Sequence, residues 1–575
     1  MSISSSNLGS SVNIAVATTL DAINSTMFEY LYEQQLPVIN YCWVQLETGG
    51  AYVPISLDDL MTLPVSQGGT NGTNPFTVPT WQSGDPLTQD ISNLQNSNFA
   101  CGIQLQLGIP PGMAMPGGEN PAGLPVLPPI LTVNSTNTNT AVFNMLCSQY
   151  QVCFAAWGNH GSYAFNNDSQ PSGSAWLTTV DVPLKTLVVP PGIDTLPPAV
   201  LNQLKILGED LFSIQQLFLE FASAILSGTP PFISGFPPEV QNLITSQMVQ
   251  KVFENNLNQG LSILGYTLTQ NDPNLLPSTL SIGSLTQVFD QYSPPSSGTA
   301  GLSTLNYLCN QGSTPPPQNY SGIDWNWIDS GSSATQYDGA VAISSDVFIP
   351  YFATLLEPFV QANCNTPIMS AYYHIAELHF EYGIQSSPAP GYTSGTDGNI
   401  INYTFNSGTV ETSCGHHGLL DYYKYESYIN YSMTVTVNGN QVTIVQQLVV
   451  YASVEWESSA TEWSGNYIDT TITQVYTLSA GAGGTLLFSS APPITSENGQ
   501  QPPSNIAANL LLGIKQMTDC INKAVQMTTA NLGAIPAASI NTFVFPGGQT
   551  FSFAEPQFSQ SNDLVSYITY NNPSS

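Results

Sequence analysis

Between residues 428 and 489, apolar and polar side chains alternate along four runs, 428–437, 441–454, 467–478 and 485–489. The first three are rich in Val, Tyr and Thr. Period-two alternation turns one side of a strand toward a core and the other toward water. These runs are therefore predicted as long antiparallel strands, with the Asn438–Gly439 step as a hairpin turn. Shorter stretches at 38–46, 103–107, 142–147 and 176–187 read as strands in the first third of the chain. A helical period governs 20–31, where Ile23, Met27, Tyr30 and Leu31 share a face. Residues 237–264 and 506–530 are predicted helices, and a Phe-rich β-segment follows from Phe543. The run 212–221 fits helix or strand equally. Pro-rich stretches at 110–129 and 190–198 read as loops, and the Ser-, Pro- and Gly-rich stretch 291–318 reads as a boundary.

This pattern predicts an α+β, β-rich fold. It divides the chain into an N-terminal strand/helix half (1–200), a helical and connecting region (201–300) and a C-terminal β-rich half (301–575) closed by the 506–530 helix. One repeat supports two related halves. Ala15-Val16-Ala17 followed by Asp21 recurs as Ala340-Val341-Ala342 followed by Asp346. The helix pattern Ile23, Met27, Tyr30, Leu31 recurs in the same register as Phe348, Phe352, Leu355, Leu356.

Composition then removes several classes of function. The chain has 575 residues, six Lys+Arg and 38 Asp+Glu, a formal charge of −32. All six basic residues are lysine: Lys185, Lys205, Lys251, Lys424, Lys515 and Lys523. Without arginine, bidentate recognition of phosphate or carboxylate is missing. Six scattered lysines cannot build a nucleic-acid surface. With 42% hydrophobic residues the chain can bury a large core, so it does not read as a disordered acidic polymer. So few fixed positive charges also suit acidic surroundings. Eight dispersed cysteines lacking any C-x-x-C pair read as buried thiols. The opening residues show no signal-peptide pattern, and no apolar run reaches membrane-spanning length. The expectation is a cytoplasmic or non-classically exported protein without integral membrane association.

Catalytic motifs are fragmentary. Ile328-Asp329-Ser330-Gly331-Ser332 matches the aspartic-protease pattern, but that chemistry needs a second such loop. The nearest candidate, Asp469-Thr470-Thr471, lacks the glycine, so the first motif reads as a turn and an acid-acting hydrolase is the least favoured alternative. His374, Glu377 and His379 have the wrong spacing for a zinc-binding helix. On one strand, His374 and His379 would point to opposite faces. Cys414, His416 and His417 complete the set a metal site would draw on, yet the spacings fit no zinc template. No P-loop, nucleophile elbow or dinucleotide fingerprint is present, so no catalytic residue, metal or cofactor is expected.

Four segments carry a resemblance. They are LGYTLTQNDP from Leu264, LSTLNYLCNQ from Leu302, DWNWIDSGSSATQYDGAVAIS from Asp324 and FVFPGGQTFSFAEPQFSQSNDLVSYITY from Phe543. Together with the strand-into-helix openings, they resemble the TULIP-like (tubular lipid-binding) proteins related to OrfX and P-forty-seven of clostridial toxin clusters, and their bacterial and fungal relatives. The resemblance implies long curved antiparallel sheets wrapped around amphipathic helices, with an apolar groove between them. It implies a non-enzymatic protein that holds an apolar or lipid-like ligand. The alternative is a structural, storage or toxin-accessory protein acting through protein contacts. In such a fold, core and groove wall are one surface. Met27, Tyr30, Trp325, Trp327, Phe348 and Phe352 are the ligand-binding candidates. Lacking arginine, the chain would hold such a ligand by its tail.

Overall fold

The computed structural model describes residues 2–33, 36–45, 51–133, 140–157, 162–189, 212–219, 225–226, 238–243, 263–270, 284–296, 298–312, 314–317, 320, 322–331, 336–374, 379–388, 393–397, 400–414, 423–456, 463–480, 486–500, 519 and 551–570. The chain forms two compact units. One comprises Ala17–Thr269 and Gln287–Tyr307; the other comprises Met1–Val16, Gln270–Thr286 and Leu308–Ser575. They are called the N-terminal and C-terminal units below.

The N-terminal unit begins within the strand Ile14–Thr19, which runs directly into the helix Leu20–Glu33. Thr19 caps the turn, its Oγ1 accepting the Ala22 N–H at 3.2 Å. The predicted helical face is buried: Ile23, Met27, Phe28 and Leu31 pack with Trp43, Ile103, Leu105, Phe143, Val180 and Val182. These partners come from two antiparallel sheets. One has the order Tyr52–Ile55, Ile39–Gln45, Phe99–Leu107, Cys147–Trp157, Tyr163–Ser169. The other has the order Ile263–Gln270, Phe212–Leu219, Thr178–Val189, Thr140–Met145, Leu131–Val133. The first sheet is also covered on its opposite face, where Cys42, Val44, Cys153 and Phe165 meet Leu60, Phe76, Ile91 and Leu94. There Gly102 has no side chain because Phe76 fills its place: a Cβ would lie 2.9 Å from the ring.

The C-terminal unit repeats the opening. The strand Gly339–Ile343 leads through Ser344 into the helix Ser345–Asn363. Ser344 Oγ accepts the Asp346 N–H at 3.2 Å. The offset between the two openings (340 − 15 = 325) also relates Thr19 to Ser344 and Asp21 to Asp346, so the sequence repeat is a repeat of strand, cap and helix. Gly339–Ile343 pairs antiparallel with Leu564–Tyr570, which pairs with Phe551–Phe558. Among the described residues, the largest sheet has eight strands, built around Ile400–Asn406, Tyr423–Asn438, Gln441–Trp456 and Trp463–Ala480. Its alternation is nearly complete. Ile401, Tyr403, Phe405, Ile429, Tyr431, Met433, Ile444, Leu448 and Tyr476 are buried, while Thr404, Asn406, Thr436 and Gln447 are exposed.

Several expectations need correction. The hairpin turn is Gly439–Asn440, with Asn438 still paired to Gln441. Gly439 takes φ +56°, the glycine-first arrangement that matches strand twist. The 142–147 run is split at Leu146, and Cys147 opens a strand of the other sheet. The 237–264 run is helical at Pro238–Leu243, but Ile263 and Leu264 already belong to a strand. The ambiguous 212–221 run is a strand, Phe212–Leu219. Within the supposed boundary at 291–318, Thr304–Asn310 is an inner strand with Leu305, Asn306, Leu308 and Cys309 buried. The predicted closing helix lies outside the described residues apart from Asp519, as do residues 543–550. Among the described residues, no helix is long and apolar enough to cross a membrane.

Candidate ligand-binding site

The helix Ser345–Asn363 presents Phe348, Phe352, Leu356 and Val360 at four-residue intervals, and all four are buried. The four form one stripe, because side chains four apart lie above one another on a helix. Phe348 stacks on Phe352 at 5.8 Å and meets Phe558 at 5.5 Å; Phe352 meets Phe488 at 6.1 Å. Tyr403, from the inner face of the large sheet, donates its O–H to the Ala353 carbonyl at 2.8 Å. A polar tether thus fixes a contact that is otherwise aromatic. Pro350 and Pro358 inside this helix remove two N–H donors that would ordinarily bond back to the preceding turn.

Trp325 and Trp327 lie in the irregular segment 322–331 before the strand Gly339–Ile343. Their rings meet edge-on, 5.5 Å apart at 72°. They are 3% and 1% exposed, and neither indole N–H has a hydrogen-bond partner among the described residues. Two donors sealed side by side without an acceptor is a costly arrangement, about 1–3 kcal/mol for each unmet group. Of the remaining candidates, Met27 is buried in the N-terminal unit against the two-sheet core, and Tyr30 sits on the same helix. The candidates therefore fall into two sets, Met27 and Tyr30 in one unit and Trp325, Trp327, Phe348 and Phe352 in the other.

A further pocket was not foreseen. On the outer face of the large sheet, Thr404, Asn406, Asn430, Ser432, Gln447 and Val449 line a cavity of about 470 Å³, with Phe405 and Tyr431 in its floor. The sequence carried its signal only as polar residues alternating with buried ones on three strands. Their adjacency comes from the pairing register.

No family model matches the sequence, and no curated protein matches it. Among solved structures, the chain is similar to P47 of Clostridium botulinum E1, with a TM-score of 0.40, 10% identity and coverage of 98% of this chain and 99% of that chain. It is also similar to a lipopolysaccharide binding protein, with a TM-score of 0.27, 9% identity and coverage of 98% of this chain and 100% of that chain.

The fragmentary motifs resolve as follows. Asp329 is exposed beside Tyr567; its negative charge, behind burial as the main cause, helps push that phenol up to about 12. Asp469 projects from a strand and accepts the Gln447 Nε2–H at 3.0 Å. His374 ends the strand Asn365–His374 and His379 begins its partner, where the two are direct register neighbours. The single-strand reading that separated them is thus corrected: a hairpin puts them opposite each other. Glu377, His416 and His417 lie outside the described residues. Among the described residues, no group of three His, Cys, Asp or Glu is arranged to hold a metal. Among the described residues, six cysteines are free and buried, and burial pushes the thiols of Cys42 and Cys309 up to about 12.

Proposed function

We propose that this chain is a non-catalytic carrier of an apolar, lipid-like ligand bearing an oxygen acceptor at one end. The observation that carries the reading is the Trp325–Trp327 pair, an apolar surface holding two unmet N–H donors. A carboxyl, ester or hydroxyl oxygen would accept from the indoles. The chain of the ligand would gain about 0.8 kcal/mol for each methylene removed from water. Neutral donors of this kind take over a role often given to arginine, which the chain lacks. Both N–H groups are sealed, so entry requires the segment 322–331 to part. It has no helix or strand bonding of its own, and Asp324, Asp329 and Ser330 within it are exposed, but Trp325, Trp327 and Ile328 are buried, so parting it exposes three apolar side chains whose burial the bound ligand must offset. By the repeat, Met27 and Tyr30 occupy the helix positions of Phe352 and Leu355, and a second apolar contact is proposed there.

Native mass spectrometry with organic extraction tests the reading, followed by titration with a fluorescent fatty acid, cis-parinaric acid. Trp325→Phe and Trp327→Phe keep an aromatic ring, smaller than indole, and remove the donor. Each is expected to weaken binding about tenfold, the worth of one hydrogen bond in a dry site. A protein that is purified empty and binds no fatty acid, lysolipid or sterol when offered would overturn the carrier reading and favour a protein-contact role.

A further inference from the structure

The outer-face cavity differs in chemistry from the tryptophan pair. Its walls follow from register: Thr404 pairs with Ser432 and Ser432 with Gln447, while Asn406 pairs with Asn430 and Asn430 with Val449. Two rows of side chains therefore lie side by side on one face of three adjacent strands. Five of the six outward groups are hydroxyls or primary amides, each able both to donate and to accept. Among the described residues, no lysine or histidine lines the cavity. The row Asn406–Asn430–Val449 continues to Asp469, whose carboxylate accepts from Gln447. Two residues further along the same face, Tyr428 and Tyr451 are stacked at 4.6 Å with their planes 10° apart.

Each class of ligand can be weighed against these walls. A phosphate or carboxylate would face Asp469 with no cation to balance it. A hydrocarbon would strip water from five polar groups and return no hydrogen bonds. An uncharged polyhydroxylated ligand meets both conditions: its O–H groups pair with the amides and hydroxyls, and the C–H face of a pyranose ring lies against tyrosine. The volume of about 470 Å³ falls within the roughly 300–1,000 Å³ of small-molecule sites. Asn430 adds an independent indication. Its Oδ1 is buried with no donor among the described residues, although the residue borders the cavity. The terminal amide torsion is broad, so rotation brings this acceptor to a ligand hydroxyl.

We propose that the outer face of the sheet formed by Ile400–Asn406, Tyr423–Asn438 and Gln441–Trp456 is a binding site for a neutral sugar, one or two residues of a glycan. Thr404, Asn430, Ser432 and Gln447 would bond the hydroxyls, and the Tyr428–Tyr451 pair would flank the ring. This site does not depend on the lipid-carrier reading.

Saturation-transfer NMR on the full chain tests it, with glucose, galactose, mannose, N-acetylglucosamine and their common disaccharides as probes and glucose 6-phosphate as the charged control. At least one neutral sugar is expected to bind, and the phosphorylated one to bind more weakly than glucose. Asn430→Ala and Tyr451→Ala are each expected to lower affinity about tenfold, and Thr404→Val, which keeps the side-chain shape, to lower it by a smaller factor. Binding of cis-parinaric acid should be unchanged in all three. The proposal is overturned if no neutral sugar shows transfer, if glucose 6-phosphate binds more tightly than glucose, or if the variants fold and bind sugar as the parent does.

Discussion

Asp563 is 1% exposed, yet no cation meets it among the described residues. Its Oδ2 accepts from Ser6 Oγ and from the Leu8 N–H, both at 2.9 Å, and its Oδ1 accepts from the Ser345 N–H at 3.0 Å. Ser345 is the first residue of the long helix, so the carboxylate also faces that helix's positive end. Burial pushes its pKa upward, and the three hydrogen bonds pull against that without reversing it. Asp563→Ala leaves two backbone N–H groups buried and unmet. At about 1–3 kcal/mol each, the loss is about 2–6 kcal/mol. The lower half of that range is expected, because the same substitution removes a charge that burial already disfavours. Asp563→Asn keeps the shape. Its amide oxygen is best placed at the Oδ2 position, where it keeps two donors, while its NH2 opposes the Ser345 N–H. One unmet group puts the cost at about 1–3 kcal/mol, roughly half that of alanine. Hydrogen exchange read by mass spectrometry reports the site directly: peptides containing Leu8 and Ser345 should lose protection in both variants, and the urea midpoint should fall. Unchanged protection at these amides, or an alanine variant within about 0.5 kcal/mol of the parent, would refute this account of the carboxylate.

Other expectations are more local. With its thiol moved from 9.0 to about 12, Cys42 has about a thousandfold less thiolate at any pH below 9, so an aromatic disulfide reagent should label it only after denaturation; prompt native labelling would contradict the burial. Burial also raises Asp290 from 3.8 to about 7, so the folded chain binds more protons than the unfolded chain across that window. Its contribution to stability must then fall as pH rises from about 4 to about 7 and stay flat above. Asp290→Asn should flatten that part of the urea-midpoint profile and raise the midpoint at about pH 8, and an identical profile would exclude the shift. Gly102→Ala forces the buried Phe76 ring aside and should cost about 1–3 kcal/mol, whereas pairing it with Phe76→Leu should recover part of the loss in chemical denaturation. Because the proposed sugar site uses neutral groups, its affinity should hardly change between low and high salt, and a steep dependence measured by calorimetry would point to an ionic ligand.

Much of the fold was legible because long strands carry a simple signal. The alternation at 428–478 predicted which side chains are buried, and Tyr431, Met433, Ile444 and Leu448 are. The helix Leu20–Glu33 and its counterpart Ser345–Asn363 were legible from period and repeat. Thr304–Asn310 was missed because Ser and Pro around it masked a strand that is buried on both faces and so does not alternate. His374 and His379 were misjudged because spacing within one strand says nothing of a hairpin between them. The outer cavity was hidden for a related reason. Period two assigned Thr404, Asn430 and Gln447 to outward faces, but only the register shows that residues 26 and 17 apart in sequence share one row or its neighbour. The tryptophans were picked out as large aromatics, whereas their unmet N–H groups depend on what packs around them, which no spacing encodes.

A chain with almost no cations must find other partners for its polar and acidic groups. Lys424, on the outer face of the large sheet, is engaged by both Glu411 and Glu426. Those contacts hold its ammonium above the ordinary lysine range, so it is spoken for and offers little attraction to an incoming anion. Asp563 relies on backbone N–H groups and a serine, and Asp469 on a glutamine. Both proposed sites follow the same logic, with indole N–H at one and amides with hydroxyls at the other. Neutral hydrogen bonds are directional and short-ranged, whereas a charge acts at a distance. Recognition built from them selects a ligand by the placement of its oxygens, and it does so only after contact. The −32 charge then has a separate consequence: it repels anionic surfaces before contact is made. Long-range exclusion of anions and short-range selection of uncharged oxygens are complementary, and the two proposed sites would together favour neutral or tail-held ligands.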